Sequence, residues 1–543
     1  MTREPCGSLL LVNGIVRTLD PRLPVGEAVL LVGNRIAAVG PTEEVRLAAP
    51  PGTETLDLGG RLVLPAFTDA HVHLLEFALS LQTIPLDDAR SREEAVARVA
   101  DAARTRPPGE WILGKGWDRN LWPDPSFPHR SDLDRVAPEH PVALDSKDLH
   151  SLWVNSLALR LAGITAETPD PPGGEIVRDA RGEPSGILKE IPATDLVRRM
   201  IPRPGPAQVR RLLQEATRRA WARGVTAVHV PEDVWAFRFL QELHREGMLG
   251  LRVLVHLTEQ SVDGAIQAGL QSGLGDDRLR VGGVKVFADG ALGSRTAEML
   301  EPYLTEPENR GIAVMEDGEL QGLLLAASRS GISAVIHAIG DRANRRALNA
   351  LERVREDEAR RGVPRDRLRH RIEHVQLLHP DDLPRLAALD VIASVQPSHV
   401  VADMEMAERH WGPERCRLAY AYGSLWRSGA RLALGSDCPV EALDPLAGIH
   451  AAVTRRRPDG FPGPEGWNPQ ERLTVEQAVW GFTMGGAYAA GEEGQRGSIA
   501  PGKLADLVVL SQDIFRTDPD AILETEVVAT FLDGQVVYGA ERL

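Results

Sequence analysis

The sequence predicts an α/β protein built around a closed (β/α)8 barrel of the TIM type. The main observation is a long middle region in which short apolar runs alternate with amphipathic helical patterns, which is typical of repeated βαβ units. A second observation is that several runs carry histidine, lysine or aspartate near their ends, where barrel enzymes place their active-site residues. The predicted barrel strands span residues 61–71, 224–230, 251–257, 281–287, 333–338, 371–375, 391–396 and 431–436.

The regions outside the regular alternation predict two further parts. Both ends of the chain contain short strands separated by turns, so residues 1–64 and 491–543 are expected to form one small composite β-sandwich domain. About 150 residues separate the first two predicted barrel strands, which is too long for a loop without structure of its own. We therefore predict an inserted subdomain over the active site at 77–204 and a barrel made of 65–76 and 205–490.

The composition excludes several classes of function. The net charge is −15 and the pI is about 5.6, so nucleic acid, which usually binds a basic face, is not an expected partner. The three cysteines form no C-x-x-C pair, which argues against a disulfide framework or a thiolate zinc site. The sequence shows neither a signal peptide nor an apolar stretch long enough to cross a membrane. We expect a cytoplasmic protein, away from membranes, that acts on a small-molecule substrate and could form a homodimer.

The first candidate metal ligands are His71 and His73 in the sequence D-A-H-V-H. Residues two apart on a strand point to the same face, so both imidazoles can reach one divalent ion. The alternative is two unrelated histidines near a strand end.

Three more candidates end later strands. His337 and His374 each end an apolar run, and Asp437 ends the eighth. A single histidine at a strand end is more often structural, but the carboxyl ends of barrel strands converge on one site, which favours metal binding for the set. Asp437 could bind the metal and also accept a proton from the attacking water; its alternative role is a helix N-cap. The other histidines, including His399, have no partner that the sequence reveals.

Lys285 stands out because the chain has only five lysines among its 62 basic residues, and this one lies in an apolar strand. A lysine carbamylated by CO2 would be an anionic oxygen ligand able to bridge two metal ions. The alternative is a buried ammonium paired with Asp289 or another acid.

The order H-x-H, Lys, His, His, Asp on strands one, four, five, six and eight resembles the amidohydrolase superfamily. More closely, the chain resembles the subgroup of N-substituted formamide deformylases, amidohydrolase family 3. The supporting stretches are KVFADGALGSRTA at 285–297, HAIGDRA at 337–343, DLHSLWVNS at 148–156 and GSIAPGKLAD at 497–506. The resemblance implies zinc or a similar divalent ion and a composite β domain.

These observations predict a metal-dependent hydrolase that cleaves a C–N bond of an amide or N-formyl compound, with Asp437 as the catalytic proton carrier. Whether one or two metal ions bind is left open. The predicted metal ligands are His71, His73, Lys285, His337, His374 and Asp437. Expected substrate contacts are Trp117, Asp118, His150, Trp153, Arg295 and Asp341, although the two tryptophans could instead form the core of the insertion.

Two other functions are compatible with the sequence. A deaminase on the same barrel usually carries a glutamate soon after the strand-five histidine, and here His337 is followed by Ala-Ile-Gly-Asp. A binding protein with an inactive site is the second alternative, and the complete set of ligands argues against it.

Overall fold

The structure is a computed structural model that describes residues 7–119, 122–146, 151–172 and 174–543. Strands and helices are numbered separately in chain order. The chain forms two compact units, of which one contains the residues up to Phe77 and from Leu213 onward, and the other spans Ala78–Leu212. The second unit is the insertion. It ends at Leu212, within helix α7 (Pro206–Ala222), and the predicted bounds 77–204 of the insertion stay a prediction.

An eight-stranded parallel sheet forms the barrel of the first unit, and it confirms the predicted fold class. Each neighbouring pair is parallel, and the sheet order follows the chain order. The last and first strands meet where the Ala70 backbone N–H donates to the Leu434 carbonyl at 3.0 Å. The barrel strands are β8 (Phe67–Asp69), β15 (Val225–Pro231), β16 (Arg252–Thr258), β17 (Leu279–Phe287), β18 (Ala334–Ala338), β19 (Arg371–His374), β20 (Ile392–Val395) and β21 (Leu432–Leu434).

The predicted first strand, 61–71, proved to be two strands with different partners. Only β8 enters the barrel, whereas β7 (Leu62–Pro65) pairs antiparallel with β22 (Leu507–Leu510). Both pieces are buried, so one continuous apolar run hides the division.

Helices surround the barrel because their apolar faces match the sheet. In α8 (Val234–Arg245) the buried residues recur at helical spacing, and the Asp233 side chain caps the first turn by accepting the Ala236 N–H. The others are α9 (Val262–Gln267), α10 (Asp317–Arg329), α11 (Asp341–Arg360), α12 (Leu383–Ala388), α13 (Pro397–Trp411), α14 (Pro413–Cys416), α15 (Tyr422–Arg427), α16 (Pro445–Thr454), α17 (Val475–Trp480) and α18 (Gly486–Ala489).

Segments from both ends of the chain form the β-sandwich. One sheet has the order β5-β4-β1-β6, from β1 (Ser8–Val12), β4 (Ala28–Val32), β5 (Arg35–Gly40) and β6 (Glu54–Asp57). The other has the order β24-β23-β22-β7-β2-β3, with β2 (Ile15–Arg17), β3 (Val25–Gly26), β23 (Val527–Leu532) and β24 (Gln535–Tyr538). Leu11 and Val29 from the first sheet pack with Val63, Val509 and Phe531 from the second. Helix α1 (Thr42–Leu47) lies between β5 and β6 in the chain.

The inserted unit has its own six-stranded sheet and its own core. The sheet order is β13-β14-β12-β11-β10-β9. Its elements are β9 (Ile84–Pro85), α3 (Arg92–Thr105), β10 (Ile112–Trp117), α4 (Arg130–Asp134), β11 (Val142–Ser146), β12 (Ser151–Val154), α5 (Ser156–Leu161), β13 (Glu175–Arg178), β14 (Pro184–Lys189) and α6 (Glu190–Arg198). Helix α2 (Leu74–Ser80) precedes them. In the described part of the chain, no helix combines the length and apolar character of a membrane span.

Candidate metal centre

His71 and His73 lie just after β8, where the backbone is bonded to the segment after β21. The Asp437 N–H donates to the His71 carbonyl at 2.7 Å. The Nε2 atoms of His71 and His73 lie 3.5 Å and 3.3 Å from Asp437 Oδ1. The H-x-H spacing therefore directs both imidazoles to one carboxylate.

His374 completes a cluster at the end of β19. His71, His374 and Asp437 each offer one ligand atom, and these atoms lie within 4.8 Å of one another. The His374 Nδ1–H donates to the Gln396 side-chain oxygen at 2.9 Å, which leaves Nε2 for the cluster. His374 and Asp437 both have left-handed backbone, with φ of 74° and 60°, a conformation that is uncommon outside glycine and recurs at functional sites.

Lys285 is buried in β17, with 4% of its surface exposed. Within the described residues no carboxylate forms an ion pair with its ammonium, and Nζ lies 5.0 Å from the centre of the Phe287 ring. Burial lowers the pKa of Lys285 to about 8, although Glu373 and Asp437 act in the opposite direction. Asp289, the partner considered in the alternative, instead accepts the backbone N–H groups of Glu298, Ile339 and Gly340.

His337 lies at the end of β18 beside the same cluster. Its ring centre is 4.6 Å from that of His374. The Nε2–H donates to the Gly290 carbonyl at 2.9 Å, so Nδ1 is the nitrogen left for a ligand.

A buried charged network supports His71, and the sequence analysis missed it. The Nδ1–H of His71 donates to Glu373 Oε2 at 2.5 Å, which fixes the tautomer and leaves Nε2 for the cluster. Arg371 Nε lies 2.6 Å from Glu373 Oε1, and Arg371 Nη1 donates to His229 Nδ1 at 2.9 Å. The sequence R-I-E-H at 371–374 contained a signal for this network, because two charged residues, Arg371 and Glu373, occupy alternate positions of a buried strand.

The prediction that His399 has no partner was wrong. His399 lies near the start of α13 and is buried. Its Nε2–H donates to Asp437 Oδ2 at 3.2 Å. Burial would raise the pKa of Asp437, but His399 and His73 outweigh it and hold that pKa well below the usual value. The contact was not predicted because it joins helix α13 to the segment after β21, and the two residues lie 38 positions apart in the sequence.

Glu232 is a second acid that the sequence analysis missed. It follows β15 directly, is 7% exposed, and its Oε1 accepts the Leu75 N–H at 2.8 Å. Burial raises its pKa to about 7, against the Leu75 hydrogen bond and His73, which lower it. The available signal was an acid two residues after the predicted barrel strand 224–230.

Trp117 and Trp153 lie in the core of the inserted unit, where they pack against Trp122. They are 2% and 0% exposed, and each indole N–H donates to a backbone carbonyl, that of Leu144 or His129. The prediction that Trp117 and Trp153 contact the substrate is therefore corrected. Both belong to the core of the insertion, and their rings have no surface for a ligand.

The other predicted substrate contacts have separate outcomes. Asp118 is half-buried after β10, and His150 lies outside the described residues, so both stay predictions. Arg295 is 42% exposed and pairs with Glu306 at 2.6 Å. Asp341 is 6% exposed and begins α11, where its Oδ1 accepts the Leu300 N–H at 2.8 Å. Arg295 and Asp341 therefore also stay predictions as substrate contacts.

The side chains at this site fit a divalent ion. Imidazole nitrogens and a carboxylate oxygen are the ligands that zinc prefers in catalytic sites. In His71 and His374, Nδ1 is hydrogen-bonded to a neighbouring side chain, so that Nε2 faces the cluster. Metal-binding histidines are usually held in this way.

Comparisons with known proteins agree with this geometry. A sequence model with the description "Amidohydrolase family" matches residues 54–538. Protein LONG AFTER FAR-RED 3 of Arabidopsis thaliana is 35% identical over 546 residues, which covers 98% of this chain and 91% of the relative. The N-substituted formamide deformylase of Arthrobacter pascens is 30% identical over 562 residues, with 98% of each chain covered. An uncharacterized metal-dependent hydrolase from Pyrococcus furiosus superposes with a TM-score of 0.77 at 30% identity, covering 94% of this chain and 100% of that one.

The matches extend over the barrel, the insertion and most of the β-sandwich. Together with the histidine and aspartate cluster, they indicate a metal-dependent hydrolase. The chain therefore belongs to the amidohydrolase family, in the family 3 subgroup that the sequence resemblance predicted.

Proposed function

We propose that this chain hydrolyses the C–N bond of an amide or N-formyl compound. The observation that carries the proposal is the convergence of His71, His374 and Asp437 at the carboxyl ends of three barrel strands. The name of the Arthrobacter pascens relative supports an N-substituted formamide as the first substrate class to test.

The metal would be held by His71, His73, His337, His374, Lys285 and Asp437, with zinc as the proposed ion. A bound divalent ion would lower the pKa of a coordinated water to about 7 and would polarise a carbonyl group.

We propose Asp437 as the proton carrier, and its contacts support this role. Its Oδ2 is held by His399, and its Oδ1 lies beside the Nε2 atoms of His71 and His73. We assign to Asp437 the proton that the attacking water loses as its oxygen bonds to the carbonyl carbon. The same proton then goes to the leaving nitrogen as the C–N bond breaks, so the products are a carboxylic acid and an amine.

Lys285 is proposed to carry a carbamate. The neutral amine would attack CO2, forming an N–C bond and releasing one N–H proton to solvent. The buried side chain, without an ion-pair partner among the described residues, supports this chemistry, because a buried ammonium is costly unless it is paired. Intact mass under native conditions should show an increment of one CO2 that disappears in Lys285→Arg. An unmodified wild-type chain with one metal ion would contradict the carbamate.

The position of Phe287 supports a substrate that carries an apolar substituent. It is 43% exposed at the end of β17, and its ring centre lies 5.0 Å from that of His337. An exposed aromatic ring beside polar groups that converge on one point is typical of a pocket for a mostly apolar ligand.

The test is a screen of zinc-loaded protein against N-formyl amines, N-acyl amines and cyclic amides, with amine release as the readout. We expect hydrolysis that a chelator abolishes and zinc restores. Release of ammonia instead of a substituted amine would favour the deaminase alternative. Inactivity of metal-restored protein on the whole panel would contradict the proposed function.

Asp437→Asn separates the proton carrier from the metal site. We expect kcat per bound metal to fall by at least about a hundredfold, since a general acid–base group contributes about 10²–10⁴. Metal content by emission spectroscopy is the control. Full turnover with normal metal content would contradict the role of Asp437.

A further inference from the structure

Glu232 is a buried acid at the catalytic end of the barrel that the mechanism above does not use. It directly follows the second barrel strand, and its side chain is among the buried polar groups, at 7% exposure. The Oε1 atom accepts the Leu75 N–H at 2.8 Å, in the first turn of the helix that follows His73. The carboxyl group is therefore fixed beside the segment that carries His73.

The second carboxylate oxygen of Glu232, Oε2, has no partner among the residues that the structure describes. Within the described residues, no side chain or backbone group donates a hydrogen bond to Oε2. The charged groups that act on this carboxyl are His73, Glu76 and Asp233, and only the first would attract a negative charge. Oε2 keeps some surface open to solvent, so water can reach it in the free protein. A ligand that covered this oxygen without supplying a donor would exclude that water and leave the acceptor unsatisfied, which is costly. A ligand that supplies a donor there would remove that cost.

The substrates proposed above differ in whether they carry such a donor. A secondary amide has one N–H on the nitrogen that leaves, and the released amine has more. An N,N-disubstituted amide has no N–H, so it would leave Oε2 unsatisfied.

We infer that Glu232 Oε2 accepts a hydrogen bond from the N–H of the substrate and makes the site selective for amides that carry an N–H. The inference rests on the proposed hydrolysis of C–N bonds and names the substrate class within it. A purely structural role is the competing explanation, since Oε1 already anchors Leu75.

Glu232→Gln distinguishes these two roles. The glutamine oxygen can still accept the Leu75 N–H, but its NH2 group replaces the second acceptor with a donor. The substrates are N-butylformamide and N-butyl-N-methylformamide, and the measured quantity is the ratio of their kcat/KM values. Glu76→Gln is the matched control, because Glu76 is exposed, lies in the same helix as Leu75 and carries the same charge.

We expect Glu232→Gln to reduce the preference for N-butylformamide by about 10- to 100-fold, the range for a covered hydrogen-bonding group that loses its partner. Glu76→Gln should keep the wild-type ratio, and zinc content should be equal in all three proteins. An equal loss on both substrates, or an unchanged ratio in Glu232→Gln, would overturn the inference while the proposed function stands. A zinc-loaded wild-type enzyme inactive on both substrates and on the whole panel of N-formyl amines, N-acyl amines and cyclic amides would overturn both the inference and the proposed function.

Discussion

At the residue scale, the site depends on nitrogen atoms whose direction is set by buried partners. Glu373 holds Nδ1 of His71, and Gln396 holds Nδ1 of His374. Each imidazole is therefore held in the tautomer that is protonated on Nδ1, which leaves Nε2 free to bind a metal ion. Arg371 balances the charge of Glu373, which is why this carboxylate can remain ionised at 0% exposure. Burial would raise the pKa of Glu373, but Arg371 and His71 outweigh it and lower the pKa far below the usual value.

Glu373→Gln should weaken zinc binding by about 10- to 100-fold, the usual cost of losing a group that orients a metal-binding histidine. Competition with a chelating dye measures the affinity. Because Arg371 loses its partner, a thermal melt must show that the variant is folded. A folded variant with wild-type zinc affinity would contradict the orienting role.

At the element scale, the seam between strands β8 and β21 brings the first and last ligands together. Ser436 binds the Asp69 carboxylate through its N–H at 2.9 Å and through its hydroxyl. A Cβ atom on Gly435 would lie 2.5 Å from the His71 backbone nitrogen, so the close approach of the two strands requires glycine. The barrel closure and the metal site thus share the same contacts.

Gly435→Ala should push the seam apart and lower both zinc content and stability, the latter by about 1–3 kcal/mol as for other overpacked sites. Zinc content and urea unfolding measure the two effects. Gly322→Ala is the control, because this glycine lies in α10 with no atom within 4 Å of an added Cβ, and alanine favours helix. Normal zinc content in Gly435→Ala would show that the seam tolerates a wider spacing.

At the scale of the whole molecule, a buried ion pair joins the barrel to the β-sandwich. Arg252 at the start of β16 binds both oxygens of Asp506, which precedes β22, at 2.5 Å and 2.8 Å. Asp533 in the β23–β24 turn contacts the same guanidinium. Burial would raise the pKa of Asp506, but Arg252 outweighs it and the pKa is lowered. The resulting stability is present above the unfolded pKa near 4 and is lost as the pH falls through the lower folded value.

Asp506→Asn should therefore destabilise the fold by about 3–5 kcal/mol at pH 7, because it leaves a buried guanidinium without its main partner. Glu356→Gln is the control, since its pair with Arg353 is exposed and such pairs contribute little to stability. Chemical unfolding at pH 7 and at pH 3 measures the effect, and the difference from wild type should shrink at the lower pH. Equal stability of Asp506→Asn and wild type at pH 7 would contradict the role of this pair.

The sequence alone was sufficient for the fold class, the family and the set of candidate ligands. These depend on local information: the period of apolar residues, the spacing of His71 and His73, and single polar residues at strand ends such as His337 and Asp437. The scarcity of lysine also contributed to the set of candidate ligands, since Lys285 in an apolar strand stood out among so many arginines.

Only the tertiary structure decided what those residues contact. It divided the run 61–71 between two sheets, buried Trp117 and Trp153 in the insertion, and gave Glu373, His399 and Glu232 their partners. Each of these outcomes joins residues that lie far apart in the sequence. Their contacts arise when the barrel closes and buried polar groups must find partners, and a pattern read along a single strand does not contain that information.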